Sequence, residues 1–379
     1  MKFAFNAEQE ALRKAARSFL QVHSSPQQVR KAMASEAGYD PEVWRRIGSE
    51  LGWPSIIIPA EYGGSGLTYV ELVALMEEMG RVLLCAPFFS SVCLAGNALL
   101  IGGSKAQKQE HLPGIAAGKT IATLAYTEAN GRWDASGIAA VARRDGGDFI
   151  LNGTKTFVLD GHTAGLLLVA ARREGSRGDA GVSVFLVPSD TAGLERRRLP
   201  TMDQTRKQAE ITLQGVRVPP SALLGEEGTG WCIVRETVAR AAVTLSAEQV
   251  GGAQHCLDTS VEYATQRVQF GRPIGSFQAI KHKCADMFLQ VESARSASYY
   301  AGWAAATDDP ELPVLASLAK AYCSDAYFHC AAESVQIHGG IGFTWEHDIH
   351  LYFKRAKSSE TLLGDATYHR ELVARGIGL

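Results

Sequence analysis

The sequence predicts an α+β chain in three parts: a helical N-terminal domain, a middle β-barrel, and a C-terminal antiparallel four-helix bundle. Three observations predict it. Apolar residues recur at helical spacing up to about residue 119. From Thr120 to about residue 225 the period falls to two, with turn residues at short intervals. Beyond Gly225-Glu226-Glu227-Gly228-Thr229-Gly230 long helical patterns return. The domains therefore read as 1–119, 120–225 and 226–379, and 379 residues exceed the usual size of a single core.

In the first part, residues 8–20 place Leu12, Ala15, Ala16 and Phe19 at helical spacing. Residues 41–51 follow Asp40, a good N-cap, with Pro41 at the first helical position. A Gly/Pro-rich connection follows. Its Gly63-Gly64-Ser65-Gly66 lacks the spacing and the βαβ setting of a dinucleotide fingerprint. Residues 69–80 and 88–101 read as further helices. In the middle, residues 121–126, 139–144, 148–151, 166–171, 182–187 and 208–213 read as closely spaced antiparallel strands, with a hairpin turn at Arg144-Asp145-Gly146-Gly147-Asp148. Arg196-Arg197-Arg198 reads as solvated loop charge. Residues 231–268, 276–306, 315–338 and 365–375 read as the helices of the bundle.

Composition narrows the function classes. The hydrophobic content of 46% is ample for a core, and a formal charge of −2 leaves no electrostatic footprint for nucleic acid. Seven cysteines, with no CxxC or Cys/His zinc spacing, suit reduced thiols in a cytoplasmic enzyme without a metal site. The first residues lack the apolar core of a signal peptide, and no run of about 18 apolar residues marks a membrane span.

Two constellations carry chemistry. In Gln336-Ile337-His338-Gly339-Gly340-Ile341-Gly342-Phe343, Gln336 brings an amide donor and acceptor, and the glycines let a backbone pack against a flat ligand. The same run also reads as a helix C-cap and turn. Arg267 and Phe270 are three apart, on one face near the end of a long helix. An arginine there suits pyrophosphate and a phenylalanine suits stacking; the alternative is a surface arginine beside a core aromatic.

The order of elements and their punctuation resembles the acyl-CoA dehydrogenase family over almost the whole chain. The words that carry the resemblance are Pro59-x-Glu61-Tyr62-Gly63-Gly64, Tyr126-Thr127-Glu128, Asn152-Gly153-x-Lys155, Leu224-Gly225-Glu226-Glu227-Gly228-x-Gly230-Trp231, Arg267-x-x-Phe270-Gly271, Phe277-Gln278 and the glutamine–glycine run. The resemblance implies FAD, an acyl-CoA thioester substrate from fatty acid or sterol degradation, and electron-transfer flavoprotein as acceptor. It also implies a homotetramer or a heterotetramer with a homologous subunit. Tyr126 and Thr127 match positions that hydrogen-bond the flavin ring. Phe157 matches a position that packs on the ring, with an ordinary core aromatic as its alternative. Leu159 stands where a hydroxyl residue is usual, so only its backbone N–H can serve there. Arg267, Phe270, Gln278, Gln336, Gly339 and Gly340 match residues holding the adenine end of a flavin bound in a neighbouring subunit. Arg132 and Trp133 replace small residues in a turn near the phosphates, where Arg132 is a candidate substrate contact and Trp133 a candidate obstruction.

The family takes the α-proton of its thioester on a glutamate at one of two places. Here those places hold Leu363 and Ala241. Asp365 lies two residues past Leu363 and is the candidate replacement, with an N-cap of the last helix as its alternative role. Glu248, seven residues after Ala241, shares its helix face but sits roughly 10 Å along the axis. Glu360 reads as solvated, and Glu236 points to another face. The competing explanation is a base-deficient subunit of a heteromeric enzyme. A further alternative is a flavin-free binding protein on the same fold.

Overall fold

Side chains set the starts of the N-terminal helices. Asn6, Thr68 and Ser104 close capping boxes with Gln9, Glu71 and Gln107, and Asp40 caps a helix with proline at its first position. The resulting helices are α1 (Ala7–His23), α2 (Pro26–Ala34), α3 (Pro41–Ser49), α4 (Tyr69–Arg81), α5 (Asn97–Gly102) and α6 (Lys105–Ala116). They belong to a computed structural model that describes residues 5–379.

The middle region is one sheet. Its strands are β1 (Ala122–Ala125), β2 (Val141–Asp145), β3 (Asp148–Leu159), β4 (Leu166–Arg173), β5 (Val182–Pro188), β6 (Leu194–Arg198), β7 (Gln208–Val218) and β8 (Leu223–Leu224). The order is β6-β7-β3-β2-β4-β5-β8, with β1 also on β4. Three details differ from the sequence reading. β1 and β2 both run parallel to β4, because β3, antiparallel to β2, carries the chain back before β4 begins. β3 continues through Asn152-Gly153 to Leu159, bending at register shifts after Leu151 and Lys155. Arg196-Arg197-Arg198 is not loop but strand β6, paired with β7 alone. An edge strand needs no apolar face, and charge there discourages further pairing, so its period is invisible in the sequence.

The C-terminal region comprises α7 (Gly230–Gln266), a hairpin of β9 (Val268–Gln269) and β10 (Arg272–Pro273), α8 (Gln278–Ala306), α9 (Leu312–His338), α10 (Ile349–Thr361) and α11 (Ala366–Gly376). Contacts gather the chain into two compact units. One joins residues up to Lys31 and Thr68–Leu84 to Ala242–Leu379; the other joins Ala32–Leu67 to Cys85–Ala241.

Within the first unit, α4 and α7 cross backbone to backbone. A Cβ on Gly80 would collide with the carbonyl of Glu248, and a Cβ on Gly251 with the carbonyl of Glu77. Gly252 leaves room for the ring of Tyr327. The crossing buries Glu77 and Glu78. Arg17 meets Glu78 through two hydrogen bonds, 2.8 and 2.7 Å. Tyr299 donates its hydroxyl to Glu77 at 2.6 Å, and Arg295 Nε adds a bond at 3.3 Å.

Because a backbone carbonyl cannot move aside, Gly251→Ala is expected to destabilise the fold by about 1–3 kcal/mol. Urea unfolding at fixed pH checks this; an unchanged midpoint would mean that the helices separate freely.

Candidate active site

Three helix ends meet in the bundle. Tyr263 of α7 stacks on His338 of α9 with centroids 4.5 Å apart, and Ser260 donates to Ser334 at 2.8 Å. Lys283 of α8 pairs with Glu333 of α9. The last turns of α7 and α9 and the start of α8 therefore lie together. Arg267, Gln278, Gln336, Gly339 and Gly340 are all exposed at this end. The carbonyl of Gln336 accepts from the N–H of Gly339, whose φ of +64° and ψ of −141° suit glycine. A Cβ on Gly339 or Gly340 would meet no atom within 4 Å, so this backbone is open to a ligand.

The structure corrects one expectation here. Arg267 and Phe270 do not share a helical face. α7 stops at Gln266, and the two residues belong to the hairpin that follows. Phe270 and Gly271 occupy its turn with φ of +52° and +75°, the pattern of a type I′ turn. Gly271 and Pro273, both past the end of the helix, were the available signal that the chain turns here. Phe270 is 91% exposed, a strained and solvated aromatic. Its ring meets that of Phe277 edge-on at 6.1 Å, and the guanidinium of Arg272 lies 4.1 Å from the Phe277 ring. Arg272 is thus a candidate cation that the sequence reading passed over.

The other unit carries a second constellation. Residues 127 and 156 are zipped together: Thr156 N donates to Thr127 O at 3.0 Å, and Thr127 Oγ1 donates to Thr156 O at 2.5 Å. Tyr126 is buried. Phe157 is 55% exposed with φ +56°, pushed outward where the β3–β7 register shifts. It is not a core aromatic. Leu159 is buried and its carbonyl accepts from Thr123 Oγ1 at 2.7 Å, so neither its side chain nor its carbonyl is available to a ligand. Arg132 is exposed and bonds Ser136 Oγ at 2.8 Å.

Beneath them lies an ion pair that the sequence did not join. Lys155 Nζ meets Glu128 Oε1 at 2.5 Å, with the lysine fully buried. Burial pulls the Lys155 ammonium down to about 8, with Glu128 opposing the fall. Two separate words of the sequence, Thr127-Glu128 and Asn152-Gly153-x-Lys155, are the two halves of one contact.

Family models for acyl-CoA dehydrogenases match the chain three times in order: the N-terminal domain over residues 6–119, the middle domain over 123–216 and the C-terminal domain over 228–378. The acyl-CoA dehydrogenase IpdE2 of Mycolicibacterium smegmatis is 35% identical over 359 residues, 94% of each chain. The chain belongs to the acyl-CoA dehydrogenase family. The structure of butyryl-CoA dehydrogenase from Megasphaera elsdenii superposes with a TM-score of 0.93 at 30% identity, covering 100% of both chains. A chain of the ChsE4-ChsE5 complex from Mycobacterium tuberculosis does so at 0.89 and 28%, covering 100% of this chain and 99% of its own. The protein is an oxidoreductase of the acyl-CoA dehydrogenase class, and no helix among the described residues is long and apolar enough to cross a membrane.

For an acyl-CoA dehydrogenase, the two apolar positions are notable. Ala241 and Leu363 are both buried. Leu363 has φ +65° and precedes Gly364 at +108°. Two buried side chains hold this loop. Lys320 Nζ donates to Ser324 Oγ at 2.9 Å, Glu360 O at 3.1 Å and Gly364 O at 3.0 Å. His369 Nε2 lies 3.1 Å from the carbonyl of Leu363. A carbonyl only accepts, so Nε2 carries the hydrogen. Burial pushes Lys320 down to about 7, and burial followed by the Lys320 charge pushes His369 down to about 4.

The nearby carboxylates are committed. Asp365 is exposed and caps α11, accepting from Tyr368 N at 2.8 Å. Glu248 is buried against Arg355, Oε1 to NH1 2.8 Å. Removing Glu248 from that partner would leave a buried unpaired charge. Lys320 escaped the sequence reading because a lone lysine in an apolar helix looks like a surface residue. The signal was its place on the buried face, between Ala316 and Ser324.

The low histidine values give a pH dependence. His255, stacked on Tyr352 at 4.1 Å, is pushed down to about 4 by burial, then by the Arg81 charge, as is His369 by its own surroundings. Unfolded histidine titrates near 6.5, so between about 6.5 and 4 the unfolded chain binds more protons. Stability is held above that window and lost as pH falls through it, by about 1.4 kcal/mol per pH unit for each group. Urea midpoints between pH 7 and pH 4 should fall accordingly, and His369→Gln, which keeps a donor for Leu363, should flatten the fall. An equal slope in that variant would remove His369 from the account.

Proposed function

We propose that the chain is an FAD-binding acyl-CoA dehydrogenase subunit whose α-proton acceptor is not at either usual place, and is supplied by a second, similar chain or by Asp365. The observation that carries this is Leu363. It is apolar, buried and held in a left-handed conformation before Gly364, within a loop otherwise fully built. The commitment of Glu248 to Arg355, and of Asp365 to its helix cap, favours the second chain.

The residues fit a flavin. Phe157 offers an exposed aromatic face on the sheet, and the open backbone of Gly339 and Gly340 accepts a flat group. Bound FAD supplies the hydride acceptor of an α,β-dehydrogenation. In such a complex Tyr126 and Thr127 would hydrogen-bond the ring, Phe157 would pack on it and Leu159 would contribute its backbone N–H. Arg267 would pair with pyrophosphate, Phe270 would stack, and Gln278, Gln336, Gly339 and Gly340 would hold the adenine end of a flavin in a neighbouring subunit. Arg132 adds positive charge for a phosphate of the CoA thioester. Electron-transfer flavoprotein is the expected acceptor. The two-component complex among the relatives motivates the divided arrangement, and the alternative of a homotetramer remains within the test.

A flavin spectrum of the purified protein separates this reading from a flavin-free binding protein. Arg267→Ala should weaken retention by about 1.5–3 kcal/mol, measured as flavin absorbance after gel filtration; full retention would count against Arg267.

Without a general base the rate falls by about 10²- to 10⁴-fold. The chain made alone should therefore reduce its flavin slowly or not at all with acyl-CoAs, and gain activity with a glutamate-bearing partner. An active lone chain that Asp365→Asn silences, without unfolding or flavin loss, would instead make Asp365 the base. Full activity of both lone forms would sink both versions.

A further inference from the structure

The segment from Glu128 to Ala140 has almost no regular structure, yet its backbone is tied from below. The Glu128 carboxylate accepts from Ala139 N at 3.0 and 2.9 Å and from Ala140 N at 3.0 Å, besides its bond from Lys155. Arg172, also buried, donates Nε to Ile138 O and NH2 to Ala135 O, each at 2.5 Å. Its remaining bonds go to Ser176 and Gly178. Among the described residues Arg172 meets no carboxylate.

Lys155 touches a second feature. It is the last residue in register before the bulge that turns Phe157 outward. Thr156, next along, is zipped to Thr127, which precedes Glu128. The ammonium thus joins two irregular pieces of backbone: the 128–140 turn and the Phe157 bulge.

Stability is a weak reason to keep this pair. A buried ion pair costs several kcal/mol per ion in desolvation, and apolar replacements are often as stable. What the pair adds is a fixed geometry. A lysine tied to a carboxylate, which is itself tied to two backbone N–H groups, leaves the turn one position. An exposed aromatic in a left-handed conformation is costly unless its surroundings over-determine it.

We propose that Lys155, through Glu128, is a positioning residue that locks the 128–140 turn and the Phe157 bulge into one rigid ligand face, with Arg172 holding the far side of the turn. The role of that face as a flavin seat rests on the function proposed above; the lock itself does not.

The experiment uses the full chain, with and without added FAD. Amide hydrogen exchange is followed in wild type, Lys155→Met and Glu128→Gln. The expected result is exchange about tenfold faster at Ala139 and Ala140 in Lys155→Met, with β4 and β5 unchanged. With FAD present, the visible circular dichroism of the retained flavin should shift as it does in Phe157→Ala. Unchanged exchange at Ala139 and Ala140 overturns the proposal. So does a uniform rise across the whole sheet, which would make Lys155 merely structural. If Lys155→Met does not fold, Lys155→Gln, which leaves the Glu128 carboxylate and its bonds from Ala139 and Ala140 in place, decides between the same outcomes, and Glu128→Gln, which removes an acceptor from Ala139 directly, is the positive control. If wild type takes up no FAD, the flavin reading fails alone, and the exchange data still judge the lock.

Discussion

The contact of α4 with α7 at Gly80 and Gly251 is the constraint from which much of the first unit follows. Two helices that touch through their backbones leave no room for water between them. Glu77 and Glu78 sit on the buried stretch of α4, so each must be matched by donors, and Arg17, Arg295 and Tyr299 supply them. Glu248, whose carbonyl faces Gly80, is excluded from water by the same crossing and takes Arg355. A carboxylate locked in this way cannot accept a substrate proton without unpairing a buried arginine. The packing of the bundle thus removes the one carboxylate that shares a helix face with Ala241.

A second theme is the use of buried cations against backbone carbonyls. Arg172 bonds the carbonyls of Ala135 and Ile138; Lys320 bonds those of Glu360 and Gly364. Ala135 and Ile138 lie in a turn, and Glu360 and Gly364 lie in and just past the last turn of α10, where carbonyls lack helical partners. Three donors on an ammonium, or five on a guanidinium, satisfy several at once. Lys320 tolerates the loss of its proton better than most lysines, because Ser324 can turn from acceptor to donor while the amine still serves both carbonyls. The two loops held in this manner are those that the family resemblance places beside ligands.

Much of this is legible in the sequence. The alternation of helical and two-residue periods locates the long helices and most of the strands, and Asp40 locates one helix start, but α2, α6 and α10 go unread, the last of these reading as loop. The bundle-end residues stand out because helix ends impose their own grammar: Gln336 and Gly339 close α9 as a C-cap does. What stays hidden is of three kinds. β6 carries no apolar alternation, because edge strands do not require it. The pairing of Glu128 with Lys155 spans 27 residues, and no local pattern reports a long-range contact. The position of Phe270 is misjudged when helical spacing is extended past Gln266, where the chain has already left the helix for the hairpin that holds Gly271 and Pro273.

The three guanidinium groups of β6 have a consequence for the young chain. A sheet with an uncovered border invites strands from other molecules, above all while translation is incomplete and β7 has not yet emerged to pair with β3. Once the sheet closes its order, the border left on that side is the one bearing Arg196, Arg197 and Arg198. Another copy docking there edge to edge would have to set like charges against one another. Arg197 and Arg198 already face Glu210 and Glu36, so such a strand would also have to break ion pairs that β6 makes within its own chain.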